Sequence, residues 1–575
     1  MGQVREEVAA HAVELSNVAV HARDGGCRPR GEGGITIAVR AIAQPRVALT
    51  PASTWRGRAL LLRAALLVGV LAVYVPHIPG DFVWDDREYI LREPRMYAPD
   101  GARALLTQPF GPPGGGVYRP VSTLSFWAQA HAQGMSMTAF RALNVVIHAS
   151  VAQVLVSVLA ALGASLEACF VGALLFGLHP GATESTMFIN ARHDSLGTLF
   201  ALGALAASLR PTRTPRALVL TALAAGLGTL VAMSCKEVFA LTPAFLALAA
   251  LLPALSPEDL AARARRAATF AGVAGVFVVA ALLWRRHLAI STGNALTGAS
   301  LAELLRFVMG AVAHYVSLAV TGRQGFTALA WRAPSTTAAA LWALGLVGAA
   351  AGLLALRKRS PATAARAALG LAWLVLFAAT AALAAPATGQ YANRYLYGPL
   401  AGWSMLVGVL VALALDAGPR VRSVTLGAAL TLAVVFALTS AAQAARWKTA
   451  LDLFGADLPE GDRDARVLYH YGVAVARAHG CPAALGLFVR AAELEPGYSR
   501  AWHNVTGCLL QMGLPREAVE PARRALRLDP RDPRNVINLG TAYALSGDRP
   551  RGENLLRIGC AAAPTEPSCA RLRPP

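Results

Sequence analysis

Apolar stretches of membrane length recur between about residue 59 and residue 443, and they leave this chain few folds to choose from. A hydrocarbon core of roughly 30 Å asks for about 20 apolar residues in a helix. The stretches are continuous and rich in Leu, Ala and Val rather than alternating. They therefore read as helices, which satisfy their own backbone groups in lipid, and not as the strands of a barrel. A content of 55% hydrophobic residues over 575 positions is more than soluble globular proteins usually carry. The expected architecture is all-α. Residues 59–443 form a multi-pass membrane domain, preceded by an Arg-rich segment 1–58, expected to be a disordered cytoplasmic N-terminus, and followed by a polar domain 444–575.

Candidate spans are 59–77, 138–161, 168–180, 195–209, 217–234, 238–255, 267–284, 337–356, 362–385, 399–416 and 423–443, about eleven crossings. The third and fourth are short. The polar stretch 181–194 between them is expected to dip toward the membrane, where irregular backbone survives only if it is buried or lines a cavity. Basic clusters orient such a chain, because Lys and Arg favour cytoplasmic loops. Arg210, Arg213 and Arg216, then Arg263, Arg265 and Arg266, then Arg357, Lys358 and Arg359, then Arg420 and Arg422 all fall on one side if segment 303–321 does not cross. That side is the cytoplasm. Segment 285–336 is then an extracytoplasmic excursion. The Asp85-Asp86 pair, the 181–194 loop, Lys236-Glu237, the 386–397 loop and the C-terminal domain share the opposite face.

The first apolar run follows Arg56 and Arg58 and reads as a signal anchor rather than a cleavable leader. The formal charge of +20 fits the orienting bias, and no nucleic-acid recognition motif accompanies it, so no nucleic-acid partner is expected.

The C-terminal region repeats. Residues 465–498, 499–532 and 533–566 align as three blocks of the tetratricopeptide (TPR) period. The eighth position holds Gly472, Thr506 and Gly540, the twentieth Ala484, Ala518 and Gly552, the twenty-seventh Ala491, Ala525 and Gly559. Small side chains there let two antiparallel helices approach closely. Pro496, Pro530 and Pro564 end the second helix of each block, since proline lacks an N–H and clashes with the preceding turn. Such a superhelix commonly holds a peptide or a protein in its concave groove. Cys481, Cys508, Cys560 and Cys569 lie here without a zinc spacing, and an extracytoplasmic location admits one or two disulfides among them.

Ionisable groups in or beside spans are costly, so they are candidate site residues. Asp85 and Asp86 follow the first span. Adjacent residues do not share a face, so the two carboxylates are expected to differ in role, one a base and the other a metal or hydrogen-bond partner. Arg119 opens the approach to the second span and suits an Asp or a phosphate. His179, Glu184, Arg192 and Asp194 bracket the irregular stretch after the third span. Lys236-Glu237 sits between two apolar runs, where a lysine can meet a lipid-linked phosphate. Arg394 and Tyr395 begin a late span, and a guanidinium fork suits phosphate oxygens. No phosphate-binding G-x-x-x-x-G-K-[ST] loop, H-E-x-x-H or G-x-S-x-G motif occurs.

The order of these elements resembles a known pattern. Trp84-Asp85-Asp86 follows span one, Tyr118-Arg119-Pro120 precedes span two, and Leu143-Asn144 and His148 lie within it. Leu178-His179-Pro180-Gly181, Ala191-Arg192-His193-Asp194, Ser234-Cys235-Lys236-Glu237 and Arg394-Tyr395-Leu396-Tyr397 come next, with the repeats last. The chain resembles the transmembrane and tetratricopeptide-repeat-containing family, which is related to the protein O-mannosyltransferases of the GT-C membrane glycosyltransferase class. The resemblance implies transfer of a sugar, often mannose, from a polyprenyl-phosphate donor to a Ser/Thr hydroxyl of a protein, on the extracytoplasmic face and with inversion at the sugar carbon. It implies that Asp85 or Asp86 is the base, with Asp86 slightly favoured. Lys236 and Arg394, with Arg192 or Arg119, would steady the donor phosphate, supported by His179, Glu184, Asp194, Glu237 and Tyr395. A divalent cation, if one took part, would sit on Asp85 or Asp86; no other cofactor is implied. Two positions depart from the family pattern: Asn393 stands where Glu is usual, and His193 stands within a motif that often reads G-R-A-D. The resemblance places such a protein in a bacterial inner membrane. The alternative is a non-enzymatic membrane scaffold whose repeats recruit protein partners. A transporter would call for polar groups spread through the midplane or an internal duplication, and neither is evident.

Overall fold

The computed structural model describes residues 52–111, 117–252, 259–288, 300–322, 329–330, 335–388, 390–563, 566 and 569. The chain divides into two units, Met1–Trp55 and Arg56–Pro575, and the membrane domain and the repeats belong to the second. The expectation for 1–58 falls almost wholly outside the described residues, as do parts of 285–336. The described residues are mainly helical, joined by turns and irregular links, and their β pairings are one isolated bridge and a two-residue antiparallel pairing of Leu329–Ala330 with Gln390–Tyr391.

Nine described helices are long and apolar enough to cross a membrane, and a tenth crossing is available if a bent pair counts as one. They make this a multi-pass membrane protein. The bent pair is Leu166–Gly177 with Pro180–Met187, turned through 56°. Pro180 causes the break, having no N–H to continue the ladder. The carbonyls freed by the break are re-paired by side chains from other spans: His148 Nε2 donates to Gly177 O at 3.0 Å and Ser440 Oγ to Leu178 O at 2.8 Å. That is the condition under which irregular backbone persists at membrane depth.

Two expected spans are shorter than a bilayer. Residues 195–208 fall in Arg192–Ser208, a helix of 17 residues capped by Leu209, and 238–255 contain Thr242–Leu251, a helix of 10. At 1.5 Å per residue they reach about 26 and 15 Å. Leu301–Thr321, expected to stay at the surface, is by contrast long and apolar enough to cross. Spans pack through small residues, as helices in lipid must. A side chain at Gly402 would collide with the backbone of Leu374 and Gly370, so the helices Pro361–Thr388 and Tyr397–Asp416 lie in near-backbone contact.

After the last span, Pro419–Ala445, the chain builds three helical hairpins: Ala465–His479 with Cys481–Leu494, Ser499–Gln511 with Pro515–Leu528, and Pro533–Ser546 with Arg549–Ala562. Each lies within one 34-residue block. Gly540 and Gly552 show why the small positions matter, since a Cβ on either would strike the opposing helix. Disulfides join Cys481 to Cys508 and Cys560 to Cys569. The first ties one hairpin to the next.

The two ends of the membrane domain differ. At one end Arg58 and Arg422 both reach Glu167, at 3.3 and 3.2 Å, and Arg266 donates to the carbonyls of Ser208 and Arg210. At the other end the loop after the first span meets the first repeat hairpin, Trp84 against His470 and Glu88 with Arg477.

Candidate active site

The loop after the first span is held by a buried guanidinium. Arg141 donates to the carbonyls of Ile78, Asp81, Met187 and Trp447, tying span one, the broken helix and the end of the last span together. Within that loop Trp84 takes φ +50°, a left-handed conformation that costs a bulky residue energy and marks functional sites when tertiary contacts enforce it. Those contacts are visible. The Trp84 ring stacks on Phe188 at 5.5 Å and meets His470 at 5.5 Å and Phe454 at 5.8 Å edge-on.

This turn sends the two adjacent carboxylates into different surroundings. Asp86 is fully buried, and its Oδ1 accepts from Asn190 N at 2.8 Å. Burial raises its pKa to about 7, while the Asn190 N–H and the Arg141 charge hold it down. Asp85 is half-buried. Burial raises its pKa as well, and the charges of Arg394 and of Arg500, from the second repeat, oppose the rise.

Two cations lie against the Tyr395 ring, and one of them, Arg394, bears on Asp85. Arg394 donates to Glu184 Oε1 at 2.8 Å, and its guanidinium lies 5.3 Å from the centroids of Trp84 and Tyr395. The Lys236 ammonium sits 4.6 Å from the same Tyr395 ring and forms a buried ion pair with Asp194. Arg119 pairs with Glu237 at 3.0 Å. Local sequence explains these placements: Arg394 and Tyr395 lie in a short turn of helix, Asn393–Leu396, that precedes a span, and Lys236 is the extended residue between two helices. Asp194, Lys236 and Tyr395 line a small cleft together with the apolar side chains of Val238, Phe239, Phe377, Ala381 and Pro399.

Two expected residues lie elsewhere. Arg192, anticipated at the donor phosphate, is fully buried and spent on internal partners. It donates to Asn144 Oδ1 at 2.7 Å, Gln129 Oε1 at 2.8 Å, Phe140 O at 3.0 Å and Ser125 Oγ at 3.2 Å, and lies over the Phe126 ring. It packs the scaffold, with four of its five N–H donors engaged by protein groups. His179 is also buried, accepting from Gly181 N and donating to Ala319 O at 3.0 Å. It caps the break in the broken helix. Among the described residues no group of three or more His, Cys, Asp or Glu is placed to hold a metal ion.

The sequence is similar to curated proteins over a limited stretch. It is 29% identical over 164 residues to the protein O-mannosyl-transferase F38B6.6 of Caenorhabditis elegans, covering 26% of this chain and 23% of that protein. It is 32% identical over 170 residues to the protein O-mannosyl-transferase TMTC1 of Mus musculus, covering 28% of this chain and 17% of that one. Over that stretch the chain is similar to proteins named as protein O-mannosyl-transferases. Its match spans less than a quarter of the length of either relative. No family model matches the chain. Among solved structures, ArnT from Cupriavidus metallidurans bound to undecaprenyl phosphate is 17% identical over 89% of each chain, with a TM-score of 0.42, a likeness too loose to bear on the site.

Two site residues have little signal of their own in the sequence. Trp84 stands beside the acids but gives no hint that its ring joins the membrane domain to the repeats. Arg500 is visible only through its phase, since the second position of every block is arginine: Arg466, Arg500 and Arg534.

Proposed function

We propose that the chain is a membrane glycosyltransferase that moves a sugar from a polyprenyl-phosphate donor to a Ser/Thr hydroxyl of a protein. The observation that carries this reading is that Arg394 and Lys236 both lie against the Tyr395 ring, Arg394 bearing on the half-buried Asp85 and Lys236 lining a small, mainly apolar cleft with Asp194. The similarity to proteins named as O-mannosyl-transferases supports it.

Of the two acids, Asp85 is the better base. Asp86 is buried and bonded to Asn190 N, whereas Asp85 is half-buried and bears on the charge of Arg394. In the reaction, Asp85 takes the proton of the acceptor hydroxyl as its oxygen bonds to the sugar C1. The bond from C1 to the phosphate oxygen breaks on the opposite face, so the configuration inverts. Polyprenyl phosphate leaves, and Arg394 and Lys236 offset the charge that develops on it. Glu184 and Asp194 hold those cations in place before the donor arrives. Asp194 lines the cleft, and its Oδ2 has no hydrogen-bond partner among the described residues, which leaves an acceptor for a sugar hydroxyl. Asp86 fixes the turn that presents Asp85.

The reaction takes place on the extracytoplasmic face, with the repeats on that side and the N-terminus in the cytoplasm. The basic residues Arg58, Arg210, Arg266 and Arg422, at the end opposite Asp85, support this orientation. The test is to supply the purified chain with polyprenyl-phosphate mannose and related donors and a Ser/Thr peptide, and to read glycosylated peptide by mass spectrometry. Product from the native chain, abolished by Asp85→Asn, is expected. No product with any donor would leave the protein as a repeat-bearing membrane scaffold.

A further inference from the structure

The repeat stack does more than sit beside the site. The first helix of every hairpin carries arginine at its second block position, giving Arg466, Arg500 and Arg534, and asparagine at the sixth position of the second and third blocks, giving Asn504 and Asn538. These side chains share one face. The Tyr469 hydroxyl lies near Asn504 and feels the charges of both Arg500 and Arg534, while His503 lies 3.4 Å from the Asn538 amide. Contacts thus run from first helix to first helix along the stack, which is its inner surface.

The charges along that surface are unequal. Arg466 has a carboxylate from Glu495 at 3.6 Å and Arg534 one from Asp532 at 2.7 Å. Arg500 is exposed and has no ion pair among the described residues. It is also the repeat arginine whose charge reaches Asp85. The near end of the stack is pinned to the membrane domain by Trp84 against His470 and Phe454, and by Arg477 with Glu88 at 3.4 Å. The groove therefore opens onto the proposed base.

We propose that this inner face binds an extended acceptor segment bearing acidic side chains, and that Arg500 holds an acidic residue close to the Ser/Thr being modified. A side-chain amide offers both a donor and an acceptor, the complement of a peptide group, so Asn504 and Asn538 suit an extended backbone. The arginines supply the preference for carboxylates. This assignment of substrate class rests on the transferase reading, but binding can be measured without any donor.

The full-length chain, in nanodiscs of neutral lipid, is titrated with three fluorescent peptides of one Ser/Thr core whose flanks carry Asp and Glu, Asn and Gln, or Lys. The acidic peptide is expected to bind at least tenfold more tightly than the neutral one, with the preference shrinking as salt rises and lost in Arg500→Gln. Asp85→Asn is expected to keep that preference while failing to transfer sugar. Equal affinity for acidic and neutral peptides, or a preference that survives Arg500→Gln combined with Arg534→Gln, overturns the proposal even if transfer occurs. Selective binding without transfer by the native chain would sink the enzymatic reading and leave this one standing.

Discussion

Arg394 donates to Glu184 across 2.8 Å, joining the start of a late span to the broken helix. Both side chains are largely shielded, at 13% and 2% exposure. Removing one partner from such a pair strands a buried charge, at a cost of about 3–5 kcal/mol. Arg394→Gln should therefore lower the thermal midpoint sharply and weaken polyprenyl-phosphate binding by at least about tenfold, one charge-assisted contact's worth. Arg394→Gln with Glu184→Gln should recover stability but not donor affinity. Recovery of both in the double variant would deny Arg394 a role at the phosphate.

Asp86 makes the fold sensitive to pH. The folded carboxyl titrates at about 7, the unfolded one near 3.9. Between those values the folded chain retains a proton that the unfolded chain has released, so stability falls as pH rises through the window. Asp86→Asn keeps an acceptor for Asn190 N and carries no charge. Its gain in stability over the native chain should grow by about 2–3 kcal/mol between pH 5 and pH 8. A pH-independent difference in thermal midpoint would refute the buried, raised carboxyl.

Trp84 should govern docking of the repeats. The exposed Arg477–Glu88 pair is worth less than about 1 kcal/mol, whereas truncating a packed tryptophan costs about 3 kcal/mol or more. Trp84→Ala is expected to speed amide exchange in Ala465–His479 at least tenfold and leave Pro533–Ala562 unchanged. Exchange unaltered in the first hairpin would contradict the role given to the ring.

The Cys481–Cys508 disulfide closes a loop across 27 positions, for which chain entropy gives about 3–4 kcal/mol. Cys481→Ser with Cys508→Ser should loosen the first two hairpins, read as earlier protease cleavage within 465–528. Unchanged cleavage would mean that packing alone orders the repeats.

The repeats are legible in the sequence because their constraint is local: two helices approach only where Gly472, Ala484 and Ala491 recur in phase. The cations are legible for another reason, since a charge beside lipid is costly and stands out. The sequence does not separate Arg192 from Arg394. Both flank apolar runs, and only tertiary packing shows that one is ringed by Asn144, Gln129 and Ser125 while the other faces Tyr395 and Trp84. The same holds for Asp85 and Asp86, whose different roles depend on the left-handed turn at Trp84. Hydropathy also misjudges short helices. Residues 238–255 look like a span, but the chain there turns through Glu237–Leu241 before its helix begins.

Asp85 is assigned to the acceptor alone, acting after the donor is already held by other residues. The direct measurement is a paired one on purified Asp85→Asn: affinity for a polyprenyl phosphate, and initial rate of sugar transfer to a Ser/Thr peptide. Affinity within about twofold of the native chain with transfer reduced by at least about a hundredfold, the usual range for loss of a general base, is predicted. Transfer at the native rate, or loss traced wholly to weaker donor binding, would contradict it.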